Sequence, residues 1–111
     1  MEKEKSEARI QQEIVQFLQS ENIFCHSVPN EAGGRSMIAQ SQLVAMGLRS
    51  GVADLVVWWP DGIGYVEVKD RKGKQSKRQI VFEQKCKDHG IDYRLVRSVE
   101  DVRAILKEKG L

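Results

Sequence analysis

The sequence predicts an α/β domain, a small mixed β-sheet flanked by helices in the order α-β-α-β-β-α-β-α. Three observations carry this. Ile10, Ile14, Phe17 and Leu18 recur at helical spacing near the N-terminus. Two runs rich in β-branched and aromatic residues flank Pro60-Asp61-Gly62, which is turn chemistry and makes an antiparallel hairpin. A helical stretch between Lys69 and Ile91 is long enough to cross over to a parallel strand. At 111 residues the chain has room for one core, so positions 1–111 are taken as a single domain.

The first helix is expected from about Glu4 to Ser20, with Asn22 where it ends. Ile23 to Val28 reads as a short strand stopped by Pro29, and Asn30 to Arg35 as a polar loop containing Gly33-Gly34. Ser36 caps a second helix running to about Met46, which Gly47 ends. Leu48 to Val52 connects to a strand over Ala53–Trp59, and the returning strand covers Tyr65–Lys69. Trp58 and Trp59, on the first of these strands, point to opposite faces, so one belongs to the core and the other packs or serves an interface. Their position at the far end from Asp54 disfavours base stacking. After a charged loop, Asp70 to Gln75, Ser76 caps a third helix that reaches His89 and stops at Gly90. Ile91 to Arg97 is the fourth strand. Ser98 with Asp101 resembles a capping box for a last helix carrying Val99, Val102, Ile105 and Leu106.

Composition narrows the function classes. Hydrophobic residues make up 41% and charged residues 31%, which fits neither a disordered chain nor a membrane protein. The longest apolar run, Leu55 to Trp59, is far short of the ~20 residues of a membrane span. No apolar signal core opens the chain. Cys25 and Cys86 form neither a disulfide framework nor a zinc motif and read as small apolar side chains in a reducing cytoplasm. The net charge of +2 does not by itself announce nucleic acid.

The chemistry concentrates between Asp54 and Lys69. Strand alternation puts Glu67 and Lys69 on one face, with Val66 and Val68 on the other. A tight turn at Pro60-Asp61 sets Asp54 opposite Glu67, with Cβ atoms roughly 5 Å apart. A longer loop through Gly64 would slide Asp54 away. The sequence leaves both registers open. If the carboxylates meet, one pKa rises unless a cation lies between them, and Mg²⁺ or Mn²⁺ suits such a pair. Phosphodiester hydrolysis follows naturally: Asp54 and Glu67 hold the metal, the Val68 carbonyl adds a ligand, and Lys69 orients water and stabilises developing charge. The plainer alternative is a hairpin with exposed charges, because Glu-x-Lys alone is common.

Gly51-Val52-Ala53-Asp54-Leu55, then Tyr65-Val66-Glu67-Val68-Lys69, then Ser76 and Gln79, resemble the VRR-NUC branch of the PD-(D/E)xK nucleases. The resemblance covers most of the chain and implies a restriction-endonuclease-like core. It also implies that Glu13 on the first helix has a metal-linked or water-orienting role, and that Gln79 positions the nucleophile or a phosphate. From the residues alone, Glu13 reads as a helix carboxylate on the flank of the apolar stripe. Gln79 shares a face with Phe82 and Cys86 and could simply satisfy backbone groups. Ala53 stands where the family often has Pro. Gln75 replaces the usual apolar residue before the capping Ser, which is expected to loosen the start of that helix.

Arg71, Lys72, Lys74, Lys77 and Arg78 cluster after the Glu-x-Lys strand, with Arg35 and Arg49 flanking the second helix. A solvated loop is the ordinary fate of such a run. Its place beside the candidate site and at a helix N-terminus favours phosphate. The leading expectation is a metal-dependent DNA endonuclease selective for Holliday junctions or other branched DNA. Stand-alone members of the family resemble homodimeric junction resolvases and occur in phages and prophages, which implies a homodimer in the host cytoplasm. Selectivity would come from DNA shape, dimer geometry or a replication or recombination partner. Two further readings are a non-catalytic nucleic-acid-binding or assembly module on the same fold, and a ribonuclease.

Overall fold

A computed structural model describes residues 4–29 and 36–111. Arg35 and Gly33-Gly34 lie outside the described residues. The elements follow the predicted order: α1 (Glu7–Ser20), β1 (Cys25–Ser27), α2 (Met37–Ala45), β2 (Leu55–Trp59), β3 (Gly62–Val68), α3 (Lys77–Asp88), β4 (Asp92–Val96) and α4 (Val99–Glu108).

Serine caps set the helix starts. Ser6, Ser36, Ser76 and Ser98 each accept a backbone N–H three residues on, which satisfies one of the unpaired donors of the first turn. Ser6 therefore starts α1 later than the Glu4 expected from periodicity. Asn22 and Gly90 lie in the left-handed region, at φ 62° and 68°, where α1 and α3 end.

The sheet runs β1-β2-β3-β4, with β1–β2 and β2–β3 antiparallel and β3–β4 parallel across α3. The two-residue turn Pro60-Asp61 pairs Trp59 with Gly62 and Leu55 with Val66. This is the tight register, and β3 accordingly starts at Gly62 instead of Tyr65. Around β1, Trp58 N–H donates to the Phe24 carbonyl and Val28 N–H to the Asp54 carbonyl, both at 2.9 Å, so pairing extends beyond the formal strand.

Period-two alternation divides the sheet into two faces. Leu55, Val57, Trp59, Val66, Val68 and Val96 form one core with Ile10, Ile14 and Leu18 of α1 and Val102, Ile105 and Leu106 of α4. On the other face α3 packs Cys86 and Phe82 against Ala53, Tyr65 and Tyr93. Cys25 and Cys86 are both free thiols. Gln75 tightens the start of α3. Its amide donates to Tyr93 Oη at 3.1 Å and Glu83 Oε1 at 3.3 Å, so the expected loosening does not occur.

Gly51 brings the segment before Asp54 against α3. Its φ is +84°, and a Cβ there would lie 2.6 Å from the Arg78 carbonyl carbon. Gly51→Ala is expected to destabilise the fold by about 1 kcal/mol or more, through both the left-handed backbone and this clash. A urea midpoint equal to wild type would show that the approach is not required.

Candidate active site

β2 and β3 bring the predicted acids together. Leu55 pairs with Val66, so Asp54 stands one step beyond, alongside Glu67 and on the same face. Asp54 Oδ2 also accepts the Val68 N–H at 2.7 Å, which fixes the carboxylate against β3. Glu67 is 1% exposed and Lys69 8% exposed, which excludes the plain hairpin of solvated charges. Lys69 Nζ lies 3.4 Å from Glu67 Oε2.

Gln79 joins the pair from α3. Its Oε1 accepts the Ser76 N–H at 2.8 Å, completing a capping box, while its Nε2 donates to Glu67 Oε2 at 3.0 Å. The two sequence readings of Gln79, a residue satisfying backbone and a residue of the site, hold together in one side chain. Using its oxygen at the cap turns its NH₂ toward the carboxylate.

Glu67 Oε1 is buried and has no hydrogen-bond partner among the described residues. Burial, and then the neighbouring Asp54 carboxyl, push the Glu67 pKa up to about 8, and Lys69 only partly offsets this. Two carboxylates and one unpaired buried oxygen suit a hard divalent cation that takes one or two protein carboxylates and keeps several waters. No group of three or more His, Cys, Asp or Glu side chains suited to a metal occurs among the described residues.

Glu13 is not brought to this pair. Its carboxylate accepts from Lys5 Nζ at 2.8 Å and Arg9 Nε at 3.1 Å, and these cations hold its pKa low. It borders a separate cleft of about 740 Å³ with Arg71, Arg97 and the start of α4. An α1 acid that does come near Lys69 is Glu7. A Cβ on Gly73 would lie 3.4 Å from both Glu7 Oε2 and Lys69 Cδ. The signal for Glu7 was its spacing, on the stripe of Ile10 and Ile14.

The basic residues divide. Lys77 and Arg78 line a cleft of about 640 Å³ with Val28, Gly51, Asp54 and Gln79. They also border an adjoining cleft of about 560 Å³ with Arg49 and Lys85, which sequence reasoning missed because Lys85 lies two turns along α3. Arg78 Nη1 donates to Ser50 Oγ at 2.7 Å. Arg71 instead faces Glu4, at 3.2 Å. Lys72 and Lys74 are exposed on a loop held by Arg97 Nη1, which donates to the Asp70 and Gly73 carbonyls.

The VRR-NUC domain family matches residues 5–100. The chain belongs to the VRR-NUC domain family. Two solved structures are similar to it. One, described as a VRR-NUC domain, has a TM-score of 0.66 and 22% identity over 93% of this chain and 97% of its own. The other, described as a VRR-NUC domain protein, has a TM-score of 0.72 and 14% identity over 96% and 89%. At those identities they show the shared fold. A search of curated proteins gave no match. The chain is thus a nuclease-type domain. No helix among the described residues is long and apolar enough to cross a membrane.

The raised Glu67 pKa has a defined sign. The folded protein keeps the Glu67 proton up to about pH 8, while the unfolded chain releases it near 4.5. Stability from this group therefore falls as pH rises through that window. In metal-free protein, Glu67→Gln is expected to raise stability at pH 8.5, on the order of 2 kcal/mol, with the gain vanishing below pH 5. Thermal melts across pH check this, and a gain independent of pH would contradict it.

Proposed function

We propose that the chain is a metal-dependent endonuclease acting on branched or otherwise structured DNA, with Asp54 and Glu67 holding Mg²⁺ or Mn²⁺. The observation that carries this reading is the buried, unpartnered Glu67 Oε1 beside a second carboxylate. The Val68 carbonyl, at the same strand end, is the proposed further ligand. A cation bound there would neutralise charge at the scissile phosphate and activate water.

The side chains then have separate tasks. Lys69, fixed within 3.4 Å of Glu67, orients the attacking water and stabilises charge developing on the phosphate. Gln79 holds Glu67 Oε2 and would so leave the other oxygen, Oε1, free to take a cation. Its capping bond makes α3 a rigid support for that contact. Lys77, Arg78, Arg49 and Lys85 line the two clefts where the phosphate backbone would approach, and Arg71, Lys72 and Lys74 extend the basic surface. Glu13 has no place in this metal site.

We further propose a homodimer as the working unit, because two symmetric sites match two strands of a near-symmetric junction. Exposed Met37, Ile38 and Val44 on α2, a helix with no buried residue, support an association surface for a second copy. Light scattering tests the oligomeric state.

Asp54→Ala, Glu67→Ala and Lys69→Ala are each expected to lower metal-dependent cleavage of junction DNA roughly 10³-fold or more while leaving the fold intact. Undiminished cutting by highly purified Glu67→Ala would overturn the site. DNA binding that survives EDTA, with no nicking under any divalent metal, would favour a non-catalytic module.

Replacing Lys72 and Lys74 together by Ala is expected to weaken DNA binding and make its logarithmic salt slope shallower by up to ~2. An unchanged slope would remove the loop from the DNA contact.

A further inference from the structure

α3 covers only part of its face of the sheet. It packs on β4 and, through Phe82, on Tyr65 of β3, with the rings 5.0 Å apart. Among the described residues, no helix covers the β1–β2 end of the same face. Phe24 is 57% and Trp58 52% exposed, and their rings meet edge to face at 4.9 Å. The His26 ring lies 6.2 Å from Phe24, and Ile63, paired with Trp58 across the hairpin, is also exposed.

Register connects this strip to the acids. Side chains at 54, 56 and 58 share a face, because Leu55, Val57 and Trp59 fill the opposite core. The His26–Val56 pair, and the Val28 N–H bond to the Asp54 carbonyl, place β1 beside that row. Asp54 and Trp58 are four residues apart on one strand, ~13 Å. That is the length of about four nucleotides at a stacked rise of ~3.4 Å.

We propose that this strip is a track for an unpaired DNA strand leaving the cleavage site, with bases stacked on Trp58 and Phe24. The proposal rests on the reading of Asp54 and Glu67 as the cleavage site. Three features favour DNA over a protein occupant. Aromatic rings exposed on an open sheet face offer stacking surfaces to any base. The strip continues into the cleft where Val28 and Asp54 meet the cations Lys77 and Arg78, so a strand could lay its phosphates there and its bases on the rings. About half exposed, the three apolar side chains Phe24, Trp58 and Ile63 offer roughly 300 Å², less than half of what one partner contributes to a stable dimer. The track would give the enzyme a preference for DNA with a single-stranded arm.

The test uses the full chain and three DNAs: a duplex with a single-stranded arm, its blunt counterpart, and an unpaired oligothymidine. Affinities are measured in EDTA and cleavage in Mn²⁺. Trp58→Ala and Phe24→Ala are each expected to lower the ratio of armed to blunt affinity about 5-fold or more, and Trp58→Phe to restore most of it. Oligothymidine should quench wild-type tryptophan fluorescence, and Trp58→Phe should lose that quenching. A ratio unchanged in both alanine variants would overturn the track, even if Mn²⁺-dependent cleavage stands. Conversion of a dimer to a monomer by Trp58→Ala would also overturn it and assign the strip to a second copy. Wild type that cuts none of these DNAs yet shows the Trp58-dependent ratio would leave the track standing and defeat the nuclease reading.

Discussion

The structure depends on one costly contact, two carboxylates held side by side at the end of a β-hairpin. Asp54 is pinned by the Val68 N–H, and Glu67 is buried with one oxygen unpaired. Each neighbour serves that arrangement. The Pro60-Asp61 turn sets the register that brings the acids together. Gly51 lets the chain pass against α3, and the capping box at Ser76 and Gln79 turns an amide donor toward Glu67.

The two faces of the sheet divide the work. The face under α1 and α4 is apolar, and its burial supplies the stability that tolerates the site. The other face carries the acids, Lys69 and Gln79 at one end and exposed aromatic rings at the other. β3 joins them directly, since Val66 and Val68 belong to the core while Glu67 points to the site. A slip of one residue in its register would exchange these roles, so packing the core also aims the Glu67 carboxylate.

Much of this was legible in the sequence. Element order followed from periodicity and turn chemistry, the shared face of Glu67 and Lys69 followed from strand alternation, and Asp54 was singled out by its place at the strand start and by the family resemblance. The hairpin register did not, because Gly64 offered a second loop of acceptable chemistry. Tertiary geometry decided it: Gly64 packs against Asp92 and the Trp59 indole, where a Cβ would clash, and so belongs to the strand. Glu13 was favoured by its place in the family pattern, whereas Lys5 and Arg9, both near in sequence, capture it in space. Lys85 was hidden because it reaches its cleft from two turns along α3, and base stacking at the tryptophans was disfavoured because the Phe24–Trp58 contact is made across β1, which no local pattern reports. The overall charge of +2 likewise concealed cations gathered at the clefts beside a paired acid site.

The central claim is that Asp54 and Glu67 together form a cation site. Anomalous diffraction from a crystal grown with Mn²⁺ tests it most directly. The account predicts a peak within direct coordination distance of an Asp54 carboxylate oxygen and of Glu67 Oε1, lost in a Glu67→Gln crystal. A peak elsewhere, with Glu67 Oε1 still unpaired, would contradict it.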